Sequence, residues 1–154
     1  FWRACITVTK NRFPVAAHRL WYHSIGDTMT QQIIVDSCGW VAIIDSGLNF
    51  ESELERIFGN FSLILTTAVH DELTKLEQLR PRKKSLLLNL LEQKSTIHAS
   101  NNGSHTDDHI FELSMSGDFA VLTIDKVLKK RLYERGITVV EVAKNQHLRI
   151  IEGL

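Results

Sequence analysis

Short apolar runs that alternate with helical segments limit the fold of this chain more than any other feature. Residues 33–35 (IIV), 61–65 (FSLIL) and 119–124 (FAVLTI) have the composition of strands that are buried on both faces of a sheet. Helically patterned segments separate them, and the linkers are mostly too short for anything but right-handed crossovers. The order therefore predicts an α/β fold, a three-layer α/β/α domain with a central parallel sheet of about five strands.

Cap and turn residues place the boundaries of these elements. Asn49 and Thr106 are suited to begin helices, and Gly47 and Gly117 are suited to end them. The predicted strands are 31–35, 61–65, 96–99, 119–124 and 137–142. The predicted helices are 37–46, 50–58, a helix that begins at Thr66 or Thr67, 85–94, a helix from Thr106 to Gly117, and 126–135. A basic segment, 144–153, closes the chain.

Acidic side chains stand where the predicted strands end. Asp36 and Asp125 directly follow two of the strands, and Asp107 and Asp108 open the helix behind Thr106. Because the carboxyl ends of parallel strands meet at one edge of a sheet, these side chains are expected to converge there. Taken singly, each has another interpretation, since an Asp at a helix start is commonly a cap and an Asp after a strand is commonly a turn former.

A further carboxylate, that of Glu72, falls on the apolar face of a helix. It lies three residues after Val69 and four before Leu76, and these two share the inward stripe with Leu73. An unpaired carboxylate in such a position costs several kcal/mol, so Glu72 requires a partner. A metal ion is one of the few partners able to serve.

Carboxylates that are clustered in this way repel one another unless cations neutralise them. The chain has two cysteines, Cys5 and Cys38, with no CxxC spacing and no paired histidines, which favours hard oxygen ligands for Mg²⁺ or Mn²⁺ over a zinc site. One or two such ions can orient a phosphodiester, activate a water molecule and stabilise the leaving oxygen. The acids therefore predict metal-dependent hydrolysis of nucleic acid.

Length and composition fit one domain in residues 29–154. The chain has 154 residues, of which 44% are hydrophobic, enough for a sizeable core. Residues 1–28 lack helical or alternating periodicity and precede the first methionine, Met29, so they are interpreted as an N-terminal extension, disordered or an upstream translation artefact. The alternative is a basic, aromatic RNA-binding arm. No apolar run approaches the roughly 20 residues that span a bilayer, which predicts no membrane partner and a cytoplasmic location.

Four short motifs make the chain similar to a known family, the PIN-domain ribonucleases. The motifs are residues 33–37 (IIVDS), 67–73 (TAVHDEL), 106–110 (TDDHI) and 121–125 (VLTID), and the resemblance covers essentially all of 29–154. It implies an RNA endonuclease that depends on Mg²⁺ or Mn²⁺. The implied site consists of Asp36, Glu72, Asp108 and Asp125 as the catalytic acids that bind the metal, Asp107 as a supporting or alternate ligand, and Ser37 and Thr123 as hydroxyl side chains behind them.

Within this family, the chain looks closest to archaeal proteins similar to the endonucleases of the small-ribosomal-subunit processome. The pointers are the acid pair at 107–108, the basic loop 80–84 and the basic residues at 129–131. This resemblance implies pre-rRNA processing, or general RNA turnover, as the role. An alternative for the basic residues of 126–135 is a solvated helix face. The residues expected to contact RNA are Arg80, Arg82, Lys83, Lys84, Lys129, Lys130 and Arg131.

Three other functions stay open at this point. A VapC-like toxin ribonuclease would keep the chemistry and would bind an antitoxin, whereas a non-catalytic PIN domain would only bind RNA. A receiver-like phosphoacceptor module also groups acids at strand ends and has a Lys after its last strand, as Lys144 is here, but its adjacent acids end the first strand. Cys38 stands where many PIN domains have Asn, which affects how water is positioned. A homodimer is also compatible with the sequence.

Overall fold

The computed structural model of the chain describes residues 29–79, 86–100, 105–144 and 146–152. Two predictions concern residues outside these ranges. One is the nature of the N-terminal segment 1–28, and the other is the RNA contact of the loop that contains Arg80, Arg82, Lys83 and Lys84. Both stay predictions.

Strands and helices alternate along the described chain, as the sequence predicts. The strands are β1 (Gln31–Val35), β2 (Phe61–Thr66), β3 (Ser95–His98), β4 (Phe119–Leu122), β5 (Thr138–Ala143) and β6 (His147–Ile150). The helices are α1 (Ser37–Ser46), α2 (Phe50–Phe58), α3 (Thr67–Leu79), α4 (Leu86–Lys94), α5 (Thr106–Met115) and α6 (Lys126–Glu134).

The strand order of the sheet is β3-β2-β1-β4-β5-β6. The central strand β1 is parallel to β2, with Ile33 opposite Leu63, and parallel to β4, with Ile34 opposite Val121. The chain moves outward from β1 to β3 and then returns to the other side of β1 with β4, so the order reverses between β1 and β4. In open α/β sheets, such a switch point forms a crevice beyond the carboxyl ends of the strands. The predicted fold class is confirmed, and the crevice lies between the residues that follow β1 and β4.

The last strand, β6, is the main difference from the predicted sheet. It runs antiparallel to β5, with Val142 opposite Leu148, where the sequence predicts only a basic closing segment. Two side chains of α2 hold it in place. Arg56 Nη2 donates to the Leu148 carbonyl at 2.7 Å, and the Leu148 N–H donates to Glu53 Oε2 at 2.9 Å. These partners lie about 95 residues away in the chain, which is why a local pattern did not reveal the strand.

The core is built around the central strand. Ile33, Ile34 and Val35 are fully buried there. Trp40 on α1 packs edge-to-face against Phe50 on α2, with ring centroids 5.0 Å apart. Helices in the part of the chain that the structure describes are all too short or too polar to cross a membrane.

Helix α1 packs very closely against the end of β4, and Gly39 makes this possible. A Cβ atom on Gly39 would lie 2.6 Å from the carbonyl oxygen of Leu122 and 3.0 Å from Cα of Thr123. Since Cβ atoms essentially never approach backbone atoms so closely, only glycine is accommodated here. The first turn of α1 therefore lies directly beside the residues that follow β4.

The start of α5 differs in detail from the prediction. Thr106 is the first helical residue, and His105 occupies the cap position without a side-chain cap bond. The helix ends at Met115, and Ser116 is its C-cap in place of Gly117. The hydroxyl of Thr106 is therefore free of a capping role and contacts an acid of the candidate site instead.

Candidate active site

Asp36 lies directly after β1 and is buried, with 3% of its surface exposed. Its carboxylate oxygens accept hydrogen bonds from three donors. The Ser37 N–H donates to Oδ1 at 2.8 Å, while Thr123 Oγ1 and Cys38 Sγ donate to Oδ2 at 2.6 Å and 2.8 Å. The backbone N–H of Asp36 donates to the Leu122 carbonyl at 3.0 Å, which joins β1 to β4 at this point. The Asp36 carboxylate therefore has one fixed orientation at the switch point.

Thr123 connects Asp36 with Asp125 across the two strand ends. It is fully buried, and its hydroxyl donates to Asp36 and accepts from the Asp125 N–H at 3.1 Å. Asp125 also caps α6, because its Oδ1 accepts from the Leu128 N–H at 2.8 Å. Asp125 is thus a helix cap, where its place after a strand suggested a turn former, and the cap bond holds this carboxylate beside Thr123.

Glu72 is half-buried on α3, and both of its oxygens accept hydrogen bonds. Ser37 Oγ donates to Oε2 at 2.7 Å, and Thr106 Oγ1 donates to Oε1 at 2.5 Å. The sequence predicts that Glu72 has a partner and names a metal ion as a candidate, and the metal contact stays a prediction. The partners in the structure are hydroxyl groups of α1 and α5, so this carboxylate does not require a metal ion to be hydrogen-bonded.

The adjacent acids of α5 have different partners. Asp108 Oδ1 accepts a hydrogen bond from Arg131 Nη1 at 2.8 Å, so Asp108 forms an ion pair with α6. Asp107 is exposed in the first turn of α5, and the negative charges of Asp36, Asp125 and Glu72 act on its carboxylate. The sequence-based assignment, with Asp108 among the metal-binding acids and Asp107 as a supporting or alternate ligand, stays a prediction. Neighbouring side chains on a helix point about 100° apart, so the two acids meet different neighbours.

Crowding and burial change the pKa values of three groups. Burial raises the pKa of Asp36 most, and the nearby Glu72 carboxylate adds to this, while the three donated hydrogen bonds oppose it. The pKa of Asp107 is raised by desolvation and then by the surrounding carboxylates, while Arg131 lowers it. Burial, followed by the charge of Asp36, raises the pKa of the Cys38 thiol to about 11. The thiol is therefore protonated and a hydrogen-bond donor at neutral pH, and the crevice carries crowded negative charge.

The donor set of the crevice fits a hard divalent cation. Within the described residues, no group of three or more His, Cys, Asp or Glu side chains lies close enough to hold a metal ion by itself. Mg²⁺, however, keeps several water molecules and is commonly bound through one or two carboxylates together with substrate phosphates. Asp36, Asp107 and Asp125 supply such carboxylates, and their mutual repulsion would be relieved by a cation.

The basic residues of α6 divide into paired and exposed side chains. Lys129 Nζ lies 2.5 Å from Glu141 Oε2, and only 15% of its side chain is exposed, so its predicted RNA contact does not fit this position. Arg131 is engaged by Asp108, as described above. Lys130 Nζ lies 4.0 Å from Glu134 Oε1 on the same helix, but its side chain is 71% exposed, so Lys130 fits the prediction better.

Three residues that hold the acids in place were not recognised from the sequence. Cys38 was noted only as a departure from the family pattern, and Thr106 only as a cap. Gly39 had one signal, a glycine inside an apolar helical pattern, which commonly reflects close packing. The bond from Thr106 to Glu72 joins residues 34 positions apart, and no local pattern reports such a contact.

Two comparisons with known proteins concern the family and the fold of the chain. A family model described as a PIN like domain matches residues 33–145, a range that includes every acid of the crevice. Among solved structures, the chain is similar to the PIN domain endonuclease Utp24, with 21% sequence identity and a TM-score of 0.68 over 80% of this chain and 92% of that chain. At that identity the likeness shows the fold. No curated protein matches the chain. The family match covers most of the domain and confirms the prediction from the four motifs: the chain belongs to the PIN-like domain family.

Proposed function

We propose that this protein is a metal-dependent endonuclease that hydrolyses phosphodiester bonds of RNA. The observation that carries the proposal is that Asp36 and Asp125, at the two strand ends of the switch point, are linked through Thr123. The charge of Glu72 acts on Asp36, and those of Asp36 and Asp125 act on Asp107. Membership of the PIN-like family supports it. The shared fold with a protein described as an endonuclease is consistent with it.

In the proposed mechanism, one or two of the carboxylates of Asp36, Asp107 and Asp125 would hold Mg²⁺ or Mn²⁺, together with water molecules and a substrate phosphate. When bound, such an ion polarises the scissile phosphate and lowers the pKa of a water molecule. The Thr123 hydroxyl and the Ser37 N–H keep the Asp36 carboxylate in one orientation. The carboxylate would therefore lose little conformational freedom on binding the ion. Glu72, held by two hydroxyl groups, adds negative charge at the same edge.

Exposed cations near the crevice are proposed to bind the RNA backbone. Lys126 and Lys130 lie on the exposed side of α6, the helix that Asp125 caps. Together with the basic loop 80–84, they would contact phosphates without reading the base sequence. A role in rRNA processing or RNA turnover, in the cytoplasm of an archaeal cell, is proposed from the motif resemblance alone.

The alternatives are weighed by the same observations. A receiver-like module has the strand order 2-1-3-4-5. Here the first five strands have the order 3-2-1-4-5, which excludes that alternative. A VapC-like toxin would use the same acids, and binding of an antitoxin would distinguish it. A domain that only binds RNA would not depend on the acids for any reaction.

The test is incubation of the full chain with labelled single-stranded and structured RNAs in Mg²⁺, Mn²⁺ or EDTA. We expect internal cleavage with either metal and none with EDTA. Asp125→Asn should lower the cleavage rate by about 100-fold or more, although the fold persists because Asn is an equally good helix cap. The exposed acid Asp118 provides the matched control, and Asp118→Asn should cleave like the wild type. Cleavage in EDTA, or full activity of Asp125→Asn, would contradict the proposal, and metal-independent binding without cleavage would favour the RNA-binding alternative.

A further inference from the structure

One ion pair joins the two helices that carry Asp107 and Asp125. Asp108 follows Asp107 on α5, and Arg131 lies on α6, which begins directly after Asp125. Arg131 Nη1 donates to Asp108 Oδ1 at 2.8 Å. The two helices also lie next to each other. The pair is therefore a direct side-chain link between the elements on which these two acids stand.

Arg131 is held on a second side by an aromatic ring. Its guanidinium carbon lies 4.6 Å from the centroid of the Phe111 ring. Phe111 is on α5, three residues after Asp108, and packs against the core. A guanidinium that is stacked on a ring and bonded to a carboxylate is more restricted than one in an ordinary surface ion pair. The link can therefore fix geometry even though the two charged side chains are 38% and 46% exposed.

We propose that Asp108 and Arg131 are positioning residues that fix the spacing between Asp107 and Asp125. Asp107 and Asp108 are consecutive on one rigid helix, so any rotation or sliding of α5 that breaks the pair also moves Asp107. Asp125 cannot follow this movement, because its carboxylate caps α6 and its N–H donates to Thr123. The inference rests on the proposed function, since it assigns a purpose to the spacing of these acids.

A double-mutant cycle tests this inference with the full chain. The variants are Asp108→Asn, Arg131→Gln and the two combined, and Glu112→Gln on the exposed side of α5 is the matched control. Each single variant should lower kcat by about tenfold with KM for RNA nearly unchanged, and the double variant should be no worse than either. Metal binding gives a readout other than activity. Mn²⁺ should raise Tm, and the Mn²⁺ concentration that gives half of this rise should change in each single variant. The change in the double variant should be no larger than that in either single variant. Glu112→Gln should match the wild type in both measurements.

Several results would overturn the inference. A loss in Asp108→Asn as large as that in Asp125→Asn, with Arg131→Gln active, would make Asp108 a metal ligand. A raised KM in Arg131→Gln, with Asp108→Asn unaffected, would make Arg131 an RNA contact. If the wild type cleaves no RNA, the proposed function fails, but the Mn²⁺ dependence of Tm still tests the positioning role. Additive effects of the two substitutions on this dependence, or no effect of either, would contradict that role.

Discussion

Replacing Gly39 by Ala tests the closest helix-to-strand approach described above. The added Cβ would lie 2.6 Å from the Leu122 carbonyl oxygen, whereas ordinary van der Waals contact begins at 3.4 Å, so α1 has to move by about 0.8 Å. The three nearest atoms all belong to the backbone of Leu122 and Thr123. No side chain can therefore rotate to make room, and the strain has to be taken up by the helix itself.

Two effects of opposite sign determine the stability of Gly39→Ala. Ala is favoured over Gly in a helix by about 1 kcal/mol. Overpacking of a tight site typically costs about 1–3 kcal/mol, and contact with backbone atoms places this site at the upper end. The free energy of unfolding should therefore fall by about 1–2 kcal/mol, which corresponds to a decrease in Tm of several degrees.

Urea denaturation measures this change, and Gly117→Ala is the matched control. A Cβ on Gly117 would lie 3.0 Å from a ring atom of Phe119, a side chain that can move, so its effect should stay within about 0.5 kcal/mol. RNA cleavage by Gly39→Ala should also fall, because the shift of α1 lengthens the bond between Thr123 and Asp36. If Gly39→Ala were instead more stable than the wild type by about 1 kcal/mol, the value expected from helix propensity alone, the close packing would be refuted.

Three further perturbations test separate parts of the site and fold. Burial raises the folded-state pKa of Asp36, so the stability that this group contributes is complete below its unfolded-state pKa and is lost as pH rises through the folded-state pKa. In urea denaturation from about pH 4 to pH 8, Asp36→Asn should therefore gain stability relative to the wild type as pH rises. A difference that stays constant with pH would contradict this. Glu141→Gln removes the carboxylate from the largely buried Lys129 and should cost about 2–3 kcal/mol in the same assay, whereas a cost near zero would show that the pair is solvated. Because the pKa of Cys38 is raised to about 11, its alkylation near neutral pH, followed by mass spectrometry, should be slower than that of a peptide thiol, and equal rates would argue against the bond to Asp36.

Much of the fold could be predicted because its signals are local. Asn49 accepts a hydrogen bond from the Ser52 N–H at the start of α2, and Gly47 ends α1 with a φ of 68°, as their residue types predict. Strand β6 could not be predicted in this way. Its position depends on contacts of Leu148 with Glu53 and Arg56, and such distant partners leave no mark on the local pattern.

The sequence predicts which helices and strands carry the acids of the site, but not the directions in which their side chains point. The edge where Asp36 and Asp125 lie follows from the parallel sheet, since both residues end neighbouring strands. The choice between Asp107 and Asp108 depends on how α5 is rotated against its neighbours, which packing and the partner on α6 decide. In the same way, Lys129 points inward because a carboxylate of β5 lies opposite it, and the composition of α6 does not reveal this.

The rate of RNA cleavage by Asp107→Asn and Asp108→Asn, measured with the same RNA and the same Mn²⁺ concentration, tests the central claim most directly. Both variants remove one negative charge from the same turn of α5, but Asp108 is paired with Arg131, whereas the charges of Asp36 and Asp125 act on Asp107. We expect a loss of about 100-fold or more for Asp107→Asn, because the variant lacks a carboxylate that is proposed to hold the metal, and a loss of about tenfold for Asp108→Asn. An equal loss in both variants, or a larger loss in Asp108→Asn, would contradict this expectation.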